Sequence, residues 1–202
     1  MPIALLVVFA SVWICLAITP ISRQDWLLEN LLVFMAVPLL IATRRQMRFS
    51  NTAYVCVFSF LVLHSIGAHY TYALVPYDRW WQSLTGDTVS EIMAWQRNHY
   101  DRLVHFLYGV LILPPSVELL DRYGPTRNGW QWVLPVLFVM SHSAIYEIVE
   151  WLAALVVAPD LGSAYLGTQG DEWDAQKDMA LASAGALMSM LTRRLARRAT
   201  HS

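Results

Sequence analysis

The chain alternates between long apolar blocks and short polar connections. A helix needs roughly 17–25 mostly apolar residues to cross a bilayer, and six blocks come near that length. They predict transmembrane helices over residues 2–19, 26–43, 52–75, 100–120, 130–157 and 174–192. The first two blocks carry at most one charge, whereas the last three are polar at one end. The pattern predicts an all-α polytopic membrane bundle, forming a single transmembrane domain over residues 1–202.

The first block also has an alternative interpretation as a cleaved signal peptide. It has no basic residues ahead of its apolar core, and no small-residue cleavage pattern precedes Thr19 and Pro20. Secretory signals typically have a basic segment before the apolar core and a small-residue cleavage site. We therefore expect this block to be a retained transmembrane helix.

Basic residues orient the bundle. Nine of the fourteen Lys and Arg residues follow the second, fourth and sixth blocks, namely Arg44, Arg45, Arg48, Arg122, Arg127, Arg193, Arg194, Arg197 and Arg198. The opposite side holds Arg23, Arg79, Arg97, Arg102 and Lys177. Because cytoplasmic connections carry an excess of Lys and Arg, the bias predicts a multi-pass protein of a bacterial inner (cytoplasmic) membrane. Both termini are then cytoplasmic.

The composition supports this class and excludes others. The chain is 56% hydrophobic and 14% charged, with a mean hydropathy of +0.42 and a formal net charge of −1. Soluble domains carry about 25% charged residues. These values exclude a disordered chain, a nucleic-acid-binding protein with a basic surface and a disulfide-stapled secreted domain. Cys15 and Cys56 both lie in apolar runs.

Several acids lie inside the predicted helices, toward their external ends. They are Asp101, Glu147, Glu150, Asp174 and Asp178. A carboxylate at the centre of a membrane helix costs about 2.5–3.5 kcal/mol on an insertion scale. We therefore expect these side chains to face the bundle interior or water. Because the third and fifth helices run outward and the fourth and sixth run inward, the acids meet His69 and His105 in one outer layer.

Helical spacing suggests what this layer does. Asp101 and His105 are four residues apart on one face, and Asp174 and Asp178 share a face of the last helix. Small residues, Ala182 and Gly185, continue that second face inward and predict tight packing below the acids. Carboxylate and imidazole groups bind divalent cations. We predict a divalent metal site at Asp101, His105, Asp174 and Asp178.

The remaining polar residues complete a candidate active site. Glu147 and Glu150 are predicted as catalytic bases, while Arg102 and His69 are predicted to bind substrate. Non-functional alternatives remain: a local Asp101–His105 hydrogen bond, or salt bridges from the last-helix acids to Arg102 or Lys177. The glycine-rich connection over residues 162–172 is either a lid over the polar layer or a flexible hairpin.

Several motifs resemble one family. They are His69–Tyr72, Asn98–Arg102 with His105, Glu147 with Glu150, and Tyr165–Asp171 with Asp174 and Asp178. Over most of the chain, from His64 to Gly185, the pattern resembles the YjdF-type inner-membrane proteins. The resemblance implies a bacterial polytopic membrane protein and no particular reaction.

A more distant likeness links the chain to VanZ-like proteins, which are associated with glycopeptide (teicoplanin) resistance. The shared order is an Asp-x-x-x-His helix start, a Glu-bearing helix and an Asp-bearing last helix with Gly. The matching residues are Asp101, His105, Glu147 or Glu150, Asp178 and Gly185. Ala182 departs from that pattern, which places Asn there. The likeness implies a shared fold and a related polar site.

Three functional hypotheses follow. The first is a metal-dependent enzyme that acts on an envelope lipid or lipid-linked molecule, with the bilayer as its environment. The second is a transporter or proton-coupled permease that uses the same acids as relay sites. The third is a non-catalytic membrane protein with a structural polar network. No H-E-x-x-H, G-x-S-x-G or P-loop motif is present in the sequence.

Overall fold

A computed structural model describes residues 2–124, 128–157, 162 and 165–199. The regular secondary structure of the described residues is helical and contains no strand, which confirms the all-α prediction. The helices with described bounds are α1 (Pro2–Ala17), α2 (Arg23–Glu29), α3 (Leu31–Thr43), α4 (Asn51–His69), α5 (Tyr77–Thr85), α6 (Val89–Met93), α7 (Tyr100–Tyr123), α8 (Trp130–Val156) and α9 (Asp174–Ala199).

Four segments are long and apolar enough to cross a membrane. They are Arg23–Thr43, which joins α2 and α3, together with α4, α7 and α8. Helix α1 is apolar but has 16 residues. Helix α9 has 26 residues, and its two ends are charged. Of the six predicted helices, four are therefore supported as spans by length and composition.

The third predicted helix, over residues 52–75, is wrong at its C-terminal end. Helix α4 stops at His69, and Thr71 and Tyr72 have φ values of 53° and 51°. This left-handed conformation cannot continue a right-handed helix. The chain folds back, so the ring of Tyr72 lies against Gly67, where a side chain would collide with it.

Helix α7 is the central element of the bundle. It packs against α4, α8 and α9, and α1 packs on α4. One group of buried apolar residues joins α1, α3, α4 and α7, and includes Phe9, Val33, Phe60 and Val104. A second joins α7 to α8 and α9 around Leu113. Helix α7 therefore contributes to both groups of buried apolar residues.

Helices α7 and α9 run parallel with their backbones in close contact. A Cβ atom on Gly109 would collide with the carbonyl oxygen of Ala182, and one on Gly185 would collide with that of Phe106. Further along, the Ser189 hydroxyl donates to the Val110 carbonyl at 3.1 Å. The predicted tight packing of Ala182 and Gly185 is thus confirmed. It holds Asp178, one helical turn before Ala182, close to α7.

Candidate functional site

Three of the four predicted metal ligands meet between α7 and α9. Ligand atoms of Asp101, His105 and Asp178 all lie within 4.8 Å of one another. The Nε2 atom of His105 is 3.5 Å from the Asp101 Oδ1 atom, in the i, i+4 relation read from the sequence. Asp178 is 3% exposed, and its Oδ1 atom has no hydrogen-bond partner among the described residues. Two carboxylates and an imidazole converge on one small space.

The two predicted bases approach this cluster from α8. Glu147 Oε1 lies 3.6 Å from His105 Nε2. This oxygen is buried and has no hydrogen-bond partner in the described part of the chain. Glu147 also shares a hydrogen bond with Glu150, and Glu150 contacts the Tyr146 side chain. The structure therefore brings Glu147 directly to the cluster and Glu150 behind it.

Asp174 lies outside the three-residue cluster. Its carboxylate accepts hydrogen bonds from Arg97 at 2.7 and 3.2 Å and from Arg102 at 3.1 Å. Asp171 accepts from Arg102 and Lys177, each at 2.5 Å. This ion-pair network matches the salt-bridge alternative for Asp174, and it fastens the start of α9 to the start of α7.

The predicted substrate-binding residues fall in different places. Arg102 belongs to the ion-pair network, but its Nε atom is buried and has no hydrogen-bond partner within the described ranges. His69 contacts the Leu16 carbonyl at 2.7 Å through Nδ1, which ties the end of α4 to the end of α1. The structure thus places Arg102 beside the acids, whereas the described contact of His69 is with α1.

Two buried acids of α2 join the site and were missed by sequence reasoning. Glu29 is 4% exposed and accepts a hydrogen bond from the Tyr146 hydroxyl at 3.2 Å. Asp25 is 1% exposed, and neither carboxylate oxygen bonds to a described residue. Their i, i+4 spacing near the start of the second apolar block matches that of Asp101 and His105, and this spacing is the sequence signal that could have identified them.

A buried histidine connects α4 to the same region. His64 Nδ1 lies 2.5 Å from the Tyr72 hydroxyl, and its Nε2 atom lies 3.0 Å from the Glu29 carbonyl oxygen. A carbonyl can only accept, so Nε2 carries the proton and Nδ1 accepts from Tyr72. His64 is therefore a neutral buried histidine with both ring nitrogens hydrogen-bonded.

The glycine-rich connection reaches the site from one side. The Thr168 carbonyl accepts from Arg97 at 3.0 Å, and the Gln169 side chain makes two 3.0 Å hydrogen bonds to the backbone of Asn98. Tyr165 is 6% exposed. Residues 163–164 lie outside the described residues. The described part is fastened to the segment before α7, and a lid role remains a prediction.

The pKa of Asp171, just before α9, should produce a measurable pH dependence. The hydrogen bond from Lys177, with smaller contributions from the Trp173 backbone N–H and from Arg102, lowers this pKa from 3.8 to about 2. A depressed folded-state pKa stabilises the fold above the unfolded value, and the contribution disappears as the pH falls toward the folded value. We expect Asp171→Asn to melt below the wild type at about pH 6, with the gap narrowing as the pH falls from about 4 to about 2.

This prediction is measured by thermal unfolding followed through tryptophan fluorescence. Asp87→Asn, which changes an exposed acid between α5 and α6, is the matched control. A gap between Asp171→Asn and the wild type that stays constant over this pH range would contradict the prediction.

Comparison with known proteins agrees with the resemblance read from the motifs. A family model described as "Predicted membrane protein (DUF2238)" matches residues 1–199. The chain is 36% identical over 178 residues to "Inner membrane protein YjdF" of Escherichia coli (strain K12), covering 86% of this chain and 80% of the relative. No solved structure matches.

These findings confirm two predictions. The YjdF-type resemblance is correct, and the several apolar helices together with an inner-membrane relative support the predicted multi-pass inner-membrane location. The likeness to VanZ-like proteins stays a prediction. The chain belongs to the YjdF-type family of membrane proteins described as DUF2238.

Proposed function

We propose that this protein is a metal-dependent membrane enzyme acting on an envelope lipid or a lipid-linked molecule. The observation that carries the proposal is the convergence of Asp101, His105 and Asp178, whose ligand atoms lie within 4.8 Å of one another. Mixed imidazole and carboxylate donors suit Zn²⁺, Mn²⁺ or Fe²⁺. Buried carboxylates that lack hydrogen-bond partners are costly, and a bound cation would offset that cost.

The neighbouring residues divide the chemical work. A divalent ion held by Asp101, His105 and Asp178 would make a water molecule more acidic and so supply a nucleophile near neutral pH. The free Oε1 atom of Glu147 faces this space and would accept the proton from such a water. Glu150 shares a hydrogen bond with Glu147 and is itself bonded to Tyr146, so this pair would orient the Glu147 carboxylate. Among the metal ligands predicted from the sequence, Asp174 is reassigned to positioning Arg97 and Arg102.

The ion-pair network supports an anionic substrate. Arg97, Arg102 and Lys177 bring three positive charges, whereas Asp171 and Asp174 bring two negative ones, which leaves one positive charge. The free Nε donor of Arg102 lies in this network. Arginine recognises phosphate through its fixed fork of donors. A phosphate or pyrophosphate group on a lipid is therefore the substrate chemistry that fits best.

Metal content tests the proposal first. We expect the purified, detergent-solubilised protein to hold close to one divalent ion per chain, measured by mass spectrometry after incubation with Zn²⁺ or Mn²⁺ and desalting. His105→Ala should lose this ion while keeping its fold. His142→Ala is the matched control, because His142 is exposed and contacts the Phe138 carbonyl. A wild type without metal after loading would overturn the metal mechanism.

A proton relay is the second candidate function. A line of side chains runs from Glu147 through Glu150 and Tyr146 to Glu29, each in contact with the next. Such chains of buried acids carry protons in transporters. Proton flux into liposomes that is lost in Glu29→Gln, together with absence of metal, would favour this function over the enzyme.

We further propose that the chain crosses the membrane six times, with both termini in the cytoplasm. Helix α9 runs parallel to the candidate span α7, with the contacts advancing from His105 and Asp178 to Val110 and Ser189. At about 1.5 Å per residue its 26 residues reach about 39 Å. Helix α1 also packs on α4, with the Leu16 carbonyl near the end of α1 in contact with His69 at the end of α4.

Cysteine labelling tests this topology. In a variant with Cys15 and Cys56 replaced by Ala, a new thiol at Asp87→Cys should react with a membrane-impermeant maleimide in intact spheroplasts. Gln46→Cys, in the exposed connection between α3 and α4, should react only after the spheroplasts are lysed. The reverse labelling pattern would show that the orientation is inverted.

A further inference from the structure

A second feature of the bundle lies at the opposite end from the acids. A groove of about 570 Å³ opens between α1, α3 and α4. Its walls are mainly apolar, with Leu6 and Phe9 from α1, Val37 from α3, and Phe58 and Leu61 from α4. Such a groove on a membrane-spanning bundle faces lipid rather than water. Apolar walls of this kind accommodate hydrocarbon.

The length of the groove matches one leaflet of a bilayer. Along α4 it extends from Asn51 to Leu61, which is about 15 Å at 1.5 Å per residue. The hydrocarbon core of a bilayer is about 30 Å thick, so each leaflet contributes about 15 Å. An acyl chain that enters from the helix ends would therefore lie along the groove to its full depth.

Positive charge is concentrated at the mouth. Arg44, Arg45 and Arg48 line the groove where α3 ends and α4 begins. No carboxylate in the described ranges forms an ion pair with any of the three. The neighbouring acid, Glu118, is already bonded to the backbone N–H and hydroxyl of Ser50 at the start of α4. The three guanidinium groups are therefore available to an external anion.

The geometry points to a binding site for an anionic phospholipid in this groove. One acyl chain lies between α1, α3 and α4, and the phosphate head group contacts Arg44, Arg45 and Arg48. Basic pockets between membrane helices on the cytoplasmic side bind anionic head groups, because that leaflet is rich in negative lipids. The groove is at the opposite helix ends from Asp101 and His105, so this inference rests on the proposed orientation of the helices but not on the proposed enzyme activity.

Native mass spectrometry of the full-length protein in detergent tests the site. The protein is titrated separately with phosphatidylglycerol and phosphatidylcholine, and bound lipids are counted per chain. We expect one phosphatidylglycerol to bind at least about tenfold more tightly than phosphatidylcholine, since each basic residue near the head group contributes about a fivefold preference. The triple variant Arg44→Gln, Arg45→Gln, Arg48→Gln should lose this preference.

Two further variants keep the test decisive. Arg193→Gln, Arg194→Gln, Arg198→Gln removes three charges from the last turns of α9, outside the groove, and should keep the preference. Ile41→Trp adds bulk at a half-exposed wall position and should weaken binding of both lipids while the protein stays folded. Equal binding of the two lipids by the wild type, or equal loss in the α9 control, would overturn the inference. Binding of both lipids by Ile41→Trp at the wild-type affinity would also overturn the inference.

Discussion

Replacing Gly185 with leucine is expected to separate α7 from α9 and to lower the free energy of unfolding by about 3 kcal/mol or more. The nearest obstacle to a Cβ atom at this position is the carbonyl oxygen of Phe106, with the backbone nitrogen of Val110 beside it. Backbone atoms cannot rotate away as a side chain does. The whole of α9 must therefore move, and Asp178 moves with it away from His105.

The adjacent residue provides the control for this prediction. Ala184 lies on the exposed face of α9, whereas Gly185 is buried. Ala184→Leu adds similar bulk toward lipid and should leave the melting temperature nearly unchanged. Thermal unfolding in detergent, followed by tryptophan fluorescence, measures both variants. Equal melting temperatures for Gly185→Leu and Ala184→Leu would show that the close contact of α7 and α9 is not required.

This packing could be predicted from the sequence because it depends on spacing along one helix. Asp178, Ala182 and Gly185 fall on one face at helical periodicity, and small residues on such a face allow close approach in membranes. The opposing residues, Gly109 and Phe106, could not be identified in the same way. Their register against α9 depends on tertiary packing between segments about 75 residues apart.

The different roles of Asp174 and Asp178 show a similar limit. Both acids lie on one face of α9, one turn apart, so periodicity treats them alike. They differ because Arg97, in the connection before α7, forms an ion pair with Asp174. The position of an irregular connection does not follow from hydrophobic pattern. Asp25 and Glu29 were missed for another reason: they begin an otherwise apolar block, where acids are ordinary interfacial residues.

The stability of the protein should change in opposite directions when Asp174 and Asp178 lose their charge. Asp174→Asn leaves Arg97 and Arg102, which are 13% and 18% exposed, without their shared carboxylate. Losing one partner of a buried ion pair costs about 3–5 kcal/mol, and the partial exposure reduces this to about 2 kcal/mol. Asp178→Asn removes a buried charge whose Oδ1 atom has no described partner. Without metal, this variant should be at least as stable as the wild type.

Added metal should reverse the order of the two variants. A ligand that binds the folded state at about 100 times its dissociation constant stabilises it by about 2.7 kcal/mol. With Zn²⁺ or Mn²⁺, the melting temperatures of the wild type and Asp174→Asn should rise, whereas that of Asp178→Asn should stay at its chelator-treated value. Thermal unfolding of all three proteins, with chelator and with metal, measures this. A metal-induced rise in Asp178→Asn equal to that of the wild type would show that Asp178 is not a ligand. Asp101 and His105 would then be left without the third group that the proposed centre needs.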